Sequence, residues 1–111
     1  MIKMVGVDIE SIKSFKKLCV DKNFIKMLFS NKEINYCMQK KNPYPSLAGK
    51  FCAKEAVIKV CSEKLTPKDI QIIKNKNGKL DVYIKGKFLD NIKCSISHSD
   101  EYAVAFAVLE T

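Results

Sequence analysis

Hydrophobic and small residues recur at helical spacing through the middle of the chain, over the stretch LAGKFCAKEAVIKVC from Leu47 to Cys61. The apolar positions fall on one side of a helix, and the alanine and glycine residues between them allow close packing. Pro45 suits the first turn of a helix, where a missing N–H costs little. The pattern therefore predicts one long helix, preceded by a loop from Lys40 to Pro45.

A β-strand is predicted at the start of the chain. β-Favouring residues recur from Ile2 to Ile9, and Gly6 in their middle is typical of a place where another backbone approaches closely. Asp8 and Glu10 lie at the end of this run. Ser11 can cap the N-terminus of a helix that follows at once, because its hydroxyl can accept a bond from a free backbone N–H.

Two further short helices are predicted before the long one. The first of them covers Asp21 to Leu28. Ser30 begins the second, with Glu33 three residues later as its capping-box partner, and this helix runs to about Gln39.

Beyond Pro67 the pattern changes from the helical period to the period of two that is typical of strands. Asn77-Gly78 lies between two such alternating runs and is a strong hairpin signal. The order of elements indicates an α+β fold, with a small antiparallel-rich sheet wrapped around the long helix in a single domain over residues 1–111. The predicted strands are 70–72, 80–84, 92–96 and 102–109, with a connection over 86–91 and a turn over 98–101.

Composition narrows the class of protein. The chain has 111 residues, of which 47% are apolar, and this suits one folded domain with its own core. No signal peptide or membrane-spanning run is visible, so we expect a cytoplasmic protein. The five cysteines are odd in number and lack a CxxC spacing, which disfavours both a disulfide framework and a zinc site.

The net charge of +8 comes entirely from lysine, since all twenty basic residues are lysine. A basic excess predicts an anionic partner, which could be nucleic acid, an acidic protein or a phosphorylated small molecule. Without arginine, bidentate recognition of phosphate or of base edges is not possible. A lysine bias in the coding of the source would explain the same composition without any partner.

Three polar residues stand where the pattern would otherwise place apolar ones. Asp8 lies in an apolar strand, Glu55 lies in the long helix among alanines, and His98 ends a strand. Mg²⁺ prefers one or two carboxylates together with phosphate oxygens and water. With Lys59 one helical turn beyond Glu55, the two acids form a candidate site for Mg²⁺ and phosphate. The simpler interpretation is a surface salt bridge between Glu55 and Lys59.

These residues carry a resemblance to a known family. GVDIE at 6–10 resembles the opening G-x-D-I strand of the holo-acyl-carrier-protein synthases, the small trimeric class of 4′-phosphopantetheinyl transferases. FCAKEAVIK at 51–59 resembles their F-x-x-K-E-A-x-x-K helix, which is the most specific of the motifs. DIQIIKNKNGKLDV at 69–82 and SISHSDEYAVAFAVLE at 95–110 resemble their two hairpins, with Leu80 where proline is usual. The motifs follow the family's order over nearly the whole chain.

The resemblance implies an enzyme of fatty acid biosynthesis that transfers phosphopantetheine from coenzyme A to a serine of apo-acyl-carrier protein. Adenosine 3′,5′-bisphosphate would be released, and the enzyme would be a homotrimer with active sites between subunits. Asp8 and Glu55 would hold Mg²⁺, Glu55 would deprotonate the serine, and Lys59 would neutralise phosphate charge. The resemblance also implies residues that bind coenzyme A: Lys50, Lys54, Ser97, His98 and Ser99. It implies four lysines that dock the carrier protein: Lys13, Lys16, Lys17 and Lys26.

The sequence departs from the family at two places. Ser14 replaces a usual arginine on the helix that docks the carrier protein, and residues 60–64 replace a usual glycine-rich loop and include Glu63. Two alternatives therefore stay open. One is a weakened family member that binds coenzyme A or carrier protein without turnover, and the other is a basic nucleic-acid-binding module.

Overall fold

The computed structural model describes residues 1–111, which form four α-helices and six β-strands arranged in two three-stranded sheets. A 3₁₀ turn at Pro67–Asp69 precedes the second strand. The elements are β1 (Ile2–Ser11), α1 (Ile12–Leu18), α2 (Lys22–Leu28), α3 (Asn31–Met38), α4 (Tyr44–Val60), β2 (Ile70–Lys74), β3 (Leu80–Ile84), β4 (Lys87–Phe88), β5 (Ile92–His98) and β6 (Tyr102–Glu110).

The two sheets are antiparallel throughout, with strand orders β1-β6-β5 and β2-β3-β4. Helix α4 packs across the first sheet, against the buried alanines of β6. The α+β class is therefore confirmed. The predicted sheet is in fact two sheets, since the hairpin of β2 and β3 pairs with β4 and not with the strands beneath α4.

Gly6 explains how close the strand and the helix come. A Cβ atom at this position would lie 2.5 Å from the backbone oxygen of Ala56 on α4, a distance that real Cβ atoms do not tolerate. The prediction of a close backbone approach at Gly6 is confirmed, and only glycine fits there.

The helix caps predicted at Ser11 and Ser30 are confirmed, and Asp21 is a further cap. The Ser11 hydroxyl accepts a bond from the Ser14 backbone N–H at the start of α1. Asp21 caps α2 by accepting from the Asn23 N–H. Ser30 and Glu33 form a reciprocal capping box at α3, with bonds of 3.2 and 2.9 Å.

The largest differences from the predicted elements are the start of α4 and the presence of β4. Helix α4 begins at Tyr44, three residues before Leu47, because prolines at 43 and 45 are compatible with a helix start and need no N–H bond there. The connection over 86–91 contains the short strand β4. Lys85 and Gly86, with φ of 51° and 83°, turn the chain sharply enough for β4 to pair with β3.

None of the helices combines the length and the apolar character that crossing a membrane requires. All five cysteines are free thiols, and three of them are buried, as expected of small hydrophobic residues: Cys19, Cys37 and Cys52.

Candidate functional site

Three carboxylates line one cleft between β1, α1 and α4, which we call the acidic cleft: Asp8, Glu10 and Glu55. Successive residues of a strand point to opposite faces, so Asp8 and Glu10 lie on the same face as Gly6, which contacts α4. Apolar residues of α1, α2 and α4 form the other walls, among them Phe15 and Phe51. The two acids singled out in the sequence, 47 residues apart in the chain, thus share one cleft.

Asp8 carries the clearest sign of a missing partner. Its Oδ2 atom is buried and has no hydrogen-bond partner. Its Oδ1 atom lies 3.7 Å from the Lys59 Nζ, which also donates to the Val7 backbone oxygen at 2.6 Å. A buried carboxylate oxygen without a partner is costly, so this atom is placed to receive a ligand.

Lys59 pairs with Asp8 and makes no ion pair with Glu55. The simpler interpretation of Glu55 and Lys59 as a surface salt bridge is therefore wrong. Glu55 is left without an ionic partner in the chain, although it is half-buried.

The acids of the cleft raise one another's pKa. Burial, together with the nearby carboxylates of Asp8 and Glu55, raises the pKa of Glu10 to about 7. Burial and the charge of Asp8 also raise the pKa of Glu55. The single lysine ammonium beside them does not offset three carboxylates, so the cleft favours a further cation.

Without added metal ions, the protein is expected to lose stability as the pH rises from about 4.5 to about 7. The pKa of Glu10, about 7 in the folded protein against an ordinary 4.5, means that the folded state binds this proton more tightly than the unfolded chain. That contribution is complete below pH 4.5 and is lost as the pH rises through 7. Melting temperatures in EDTA across this range measure the loss. Glu10→Gln should flatten the profile, and an unchanged profile in that variant would contradict the assignment.

Glu10 was not among the residues predicted from the sequence. The sequence did indicate that Glu10 lies near Asp8, because residues two apart in a strand are on the same face. The alternation along the strand could not show that α1 and α4 cover Glu10.

A second cleft lies between α3, α4, the β2–β3 hairpin and β5 and has a volume of about 870 Å³. Five lysines line this basic cleft, and its only acid, Asp81, accepts a hydrogen bond from Asn75 at 3.0 Å. Of the residues predicted to bind coenzyme A, Lys50 and His98 lie here. Burial lowers the pKa of Lys50, which donates to the Ile72 backbone oxygen. The five lysines are Lys40, Lys50, Lys74, Lys79 and Lys93.

Lys54 does not lie at a binding surface, and this corrects the expectation that it contacts coenzyme A. Its side chain is fully buried, and its Nζ is 2.7 Å from Glu33 Oε1. The same ammonium donates to the backbone oxygens of Leu28 and Pro67, at 2.7 and 3.1 Å. Because these three acceptors match its three donors, Lys54 is a structural residue that joins α2, α3 and α4.

The residues around His98 are exposed. The Ser99 hydroxyl accepts from the backbone N–H groups of Glu101 and Tyr102 and so stabilises the turn between β5 and β6. Ser97 lies on the face of β5 that points away from α4, opposite Val104. These positions leave both serines accessible, but on surfaces outside the acidic cleft.

The four lysines predicted to dock a carrier protein are all exposed: Lys13, Lys16, Lys17 and Lys26. They lie on α1 and α2, beside the apolar wall of the acidic cleft, and Lys16 lies 5.1 Å from the centre of the Tyr44 ring. Glu63 is exposed and its carboxylate is 3.5 Å from the Lys85 ammonium, so the acid in the shortened loop is paired.

Comparison with known proteins assigns the family. A model of the 4′-phosphopantetheinyl transferase superfamily matches residues 4–107. The chain belongs to this family. It is 43% identical to the holo-[acyl-carrier-protein] synthase of Thermodesulfovibrio yellowstonii over 98% of this chain and 99% of that one. The resemblance seen in the motifs is therefore confirmed, and this transferase is an enzyme of the holo-[acyl-carrier-protein] synthase type.

Solved structures agree with the fold. The transferase matches a holo-(acyl-carrier-protein) synthase of Bacillus anthracis, crystallised in complex with CoA (3′,5′-ADP), with a TM-score of 0.85 and 28% identity over 100% of this chain and 98% of that one. The Helicobacter pylori holo-[acyl-carrier-protein] synthase, in complex with coenzyme A, matches with a TM-score of 0.79 and 29% identity over 96% of this chain and 100% of that one.

Proposed function

We propose that this protein, as a single transferase domain over residues 1–111, transfers 4′-phosphopantetheine from coenzyme A to a serine of an apo-acyl-carrier protein. The serine oxygen forms a bond to the β-phosphorus of coenzyme A, and the bond from that phosphorus to the nucleotide breaks. Adenosine 3′,5′-bisphosphate leaves, and the serine proton is taken up by a base. The observation that carries this proposal is the unpartnered Asp8 Oδ2 in a cleft shared with Glu55.

The acidic cleft fits a divalent cation. Its three carboxylates lie beside one lysine ammonium, and one buried carboxylate oxygen has no partner. No group of three or more histidine, cysteine, aspartate or glutamate side chains is placed to hold a metal ion by itself. Asp8 and Glu55 would therefore hold Mg²⁺ together with water and substrate phosphate, as this ion prefers. When bound, Mg²⁺ would withdraw charge from the transferred phosphoryl group and the leaving phosphate.

The remaining roles in the acidic cleft belong to two side chains. Glu55 has a raised pKa and no ionic partner, which suits it to accept the serine proton, directly or through a water molecule. Lys59 is half-exposed at the rim, where its ammonium can neutralise phosphate charge.

The basic cleft suits the nucleotide end of coenzyme A, since five lysines and His98 line it with one acid. Lys50 and His98 would contact the phosphates there, with Ser97 and Ser99 nearby. The exposed lysines of α1 and α2 would attract an acidic carrier protein and speed its encounter in a salt-dependent way. The free thiols agree with a reducing cytoplasmic location, and the reaction would serve fatty acid biosynthesis.

A homotrimer would bring the two clefts together. In one chain the acidic and basic clefts share no lining residue. The face of the first sheet that points away from α4 is apolar yet exposed, with Val5, Val7, Ile9 and Phe106 each about half-exposed. A contiguous apolar surface of this kind favours contact between proteins. We propose that three chains meet at this face, so that each active site lies between neighbours.

Val7→Lys is expected to convert the trimer to monomers and to remove most of the transfer activity, because burying an unpaired ammonium at the interface is unfavourable. Phe88→Lys is the matched control, since Phe88 is similarly exposed but lies on the second sheet. Sedimentation velocity gives the oligomeric state of each variant. A Val7→Lys protein of unchanged molar mass would contradict the proposed interface.

The transfer itself is tested by incubating the protein with coenzyme A, Mg²⁺ and several apo-carrier proteins. The expected result is a carrier protein heavier by one phosphopantetheine group, and no modification in EDTA. Calorimetric binding of coenzyme A without any modified carrier would instead identify a family member that binds without turnover. That outcome is the one suggested by Ser14 and by the glycine-free loop after α4.

A further inference from the structure

Tyr36 holds an unusual position in the basic cleft, because one ring lies beside two ammonium groups. The Nζ of Lys40 and the Nζ of Lys50 are each 5.0 Å from the centre of the Tyr36 ring. Tyr36 lies on α3, Lys40 follows the end of that helix, and Lys50 lies on α4. The ring therefore contacts two lysines from different parts of the chain on the same side of the cleft. An ammonium within about 6 Å of an aromatic centroid is attracted by the π-system.

The two lysines need such a partner for different reasons. Lys50 is almost fully buried, and it has one hydrogen bond, to the Ile72 backbone oxygen, in place of its lost hydration. Burial accordingly lowers its pKa. Lys40 is exposed, and a free lysine side chain samples many rotamers. An aromatic ring at this distance favours the charged form of Lys50 and attracts the ammonium group of Lys40.

Three more lysines line the cleft, and none of the five forms an ion pair. The only acid of the cleft, Asp81, accepts a hydrogen bond from Asn75. The electron-rich face of the Tyr36 ring attracts ammonium groups without adding a negative charge that would repel an anionic ligand.

We propose that Tyr36 is a positioning residue for nucleotide binding, whose ring holds the Lys40 and Lys50 ammonium groups where they contact the phosphates of coenzyme A. The inference rests on the proposed function for the identity of the nucleotide. Tyr36 itself touches no reacting atom, so its loss should weaken binding and leave the chemical step unchanged.

The test compares Tyr36→Leu with Tyr36→Phe. The leucine variant keeps an apolar side chain but loses the π-system, and the KM for coenzyme A is expected to rise about fivefold to tenfold with kcat unchanged. The phenylalanine variant keeps the ring and should stay within about twofold of the wild type. Calorimetry with adenosine 3′,5′-bisphosphate should likewise give a higher Kd for the leucine variant than for the phenylalanine variant or the wild type.

A double-mutant cycle with Lys40→Met separates positioning from packing. If the ring acts through this lysine, the Kd effect of Tyr36→Leu should be smaller in the Lys40→Met background. Three results would each overturn the role of Tyr36. They are additive effects of Tyr36→Leu and Lys40→Met on Kd, equal weakening of binding by the leucine and phenylalanine variants, and a fall in kcat without a change in KM. A wild-type protein that binds the bisphosphate but transfers nothing would refute the proposed function and leave the Kd comparison a valid test of Tyr36.

Discussion

Replacing Glu55 with glutamine is expected to reduce phosphopantetheine transfer by about a thousandfold or more while leaving the fold intact. The amide keeps the size of the side chain but can neither accept the serine proton nor supply a charged ligand to Mg²⁺. Glu55 makes no ion pair in the chain, so its charge contributes little to the fold. Removing it should even relieve repulsion with Asp8, since that charge raises the pKa of Glu55.

The measurement is the rate of carrier modification, followed by mass, together with the melting temperature of each variant. Glu63→Gln is the matched control, because Glu63 lies in the loop after α4 and pairs only with exposed Lys85. Its rate should match that of the wild type. A Glu55→Gln enzyme with wild-type rates would remove Glu55 from the mechanism and leave Asp8 as the principal acid.

Lys54→Met is expected to destabilise the protein by about 3–5 kcal/mol, the range found when one partner of a buried ion pair is removed. The substitution leaves the Glu33 carboxylate buried without its counter-charge. It also leaves the backbone oxygens of Leu28 and Pro67 without this donor. Glu33 keeps bonds from the Ser30 and Ile72 backbone N–H groups, which hold the carboxylate in place and prevent it from reaching water.

Urea unfolding at a fixed protein concentration measures this loss. The concentration is fixed because the stability of the proposed trimer would depend on it through mass action. Lys85→Met is the control, since the Lys85–Glu63 pair is exposed and should be worth about 1 kcal/mol or less. A loss below about 1 kcal/mol for Lys54→Met would show that the buried pair is not what joins α2 and α3 to α4.

The acidic cleft could be predicted from the sequence because each acid interrupts a regular pattern. Asp8 stands out in an apolar strand, and Glu55 stands out among alanines on a helix. Lys54 was misassigned for a simple geometric reason. One residue along a helix is a rotation of about 100°, so Lys54 faces the core while its neighbour Glu55 faces the cleft.

The basic cleft could not be predicted in full. Lys50 and His98 were among the residues that the family resemblance implied. Lys74 and Lys79 lie on the β2–β3 hairpin, whose place beside α3 and β5 depends on contacts between distant segments. In a chain with twenty lysines, charge alone does not distinguish those that share a cleft from those on open surface. Tyr36 was missed for the same reason, because its two lysine neighbours belong to different elements.

Gly6 has a consequence for the chemistry although it lies outside the cleft. It packs against the backbone oxygen of Ala56. Asp8 lies two residues after Gly6 on the strand, and Glu55 lies one residue before Ala56 on the helix. A methyl group at position 6 would push β1 away from α4. It would therefore also separate the two carboxyl groups that we propose to share Mg²⁺.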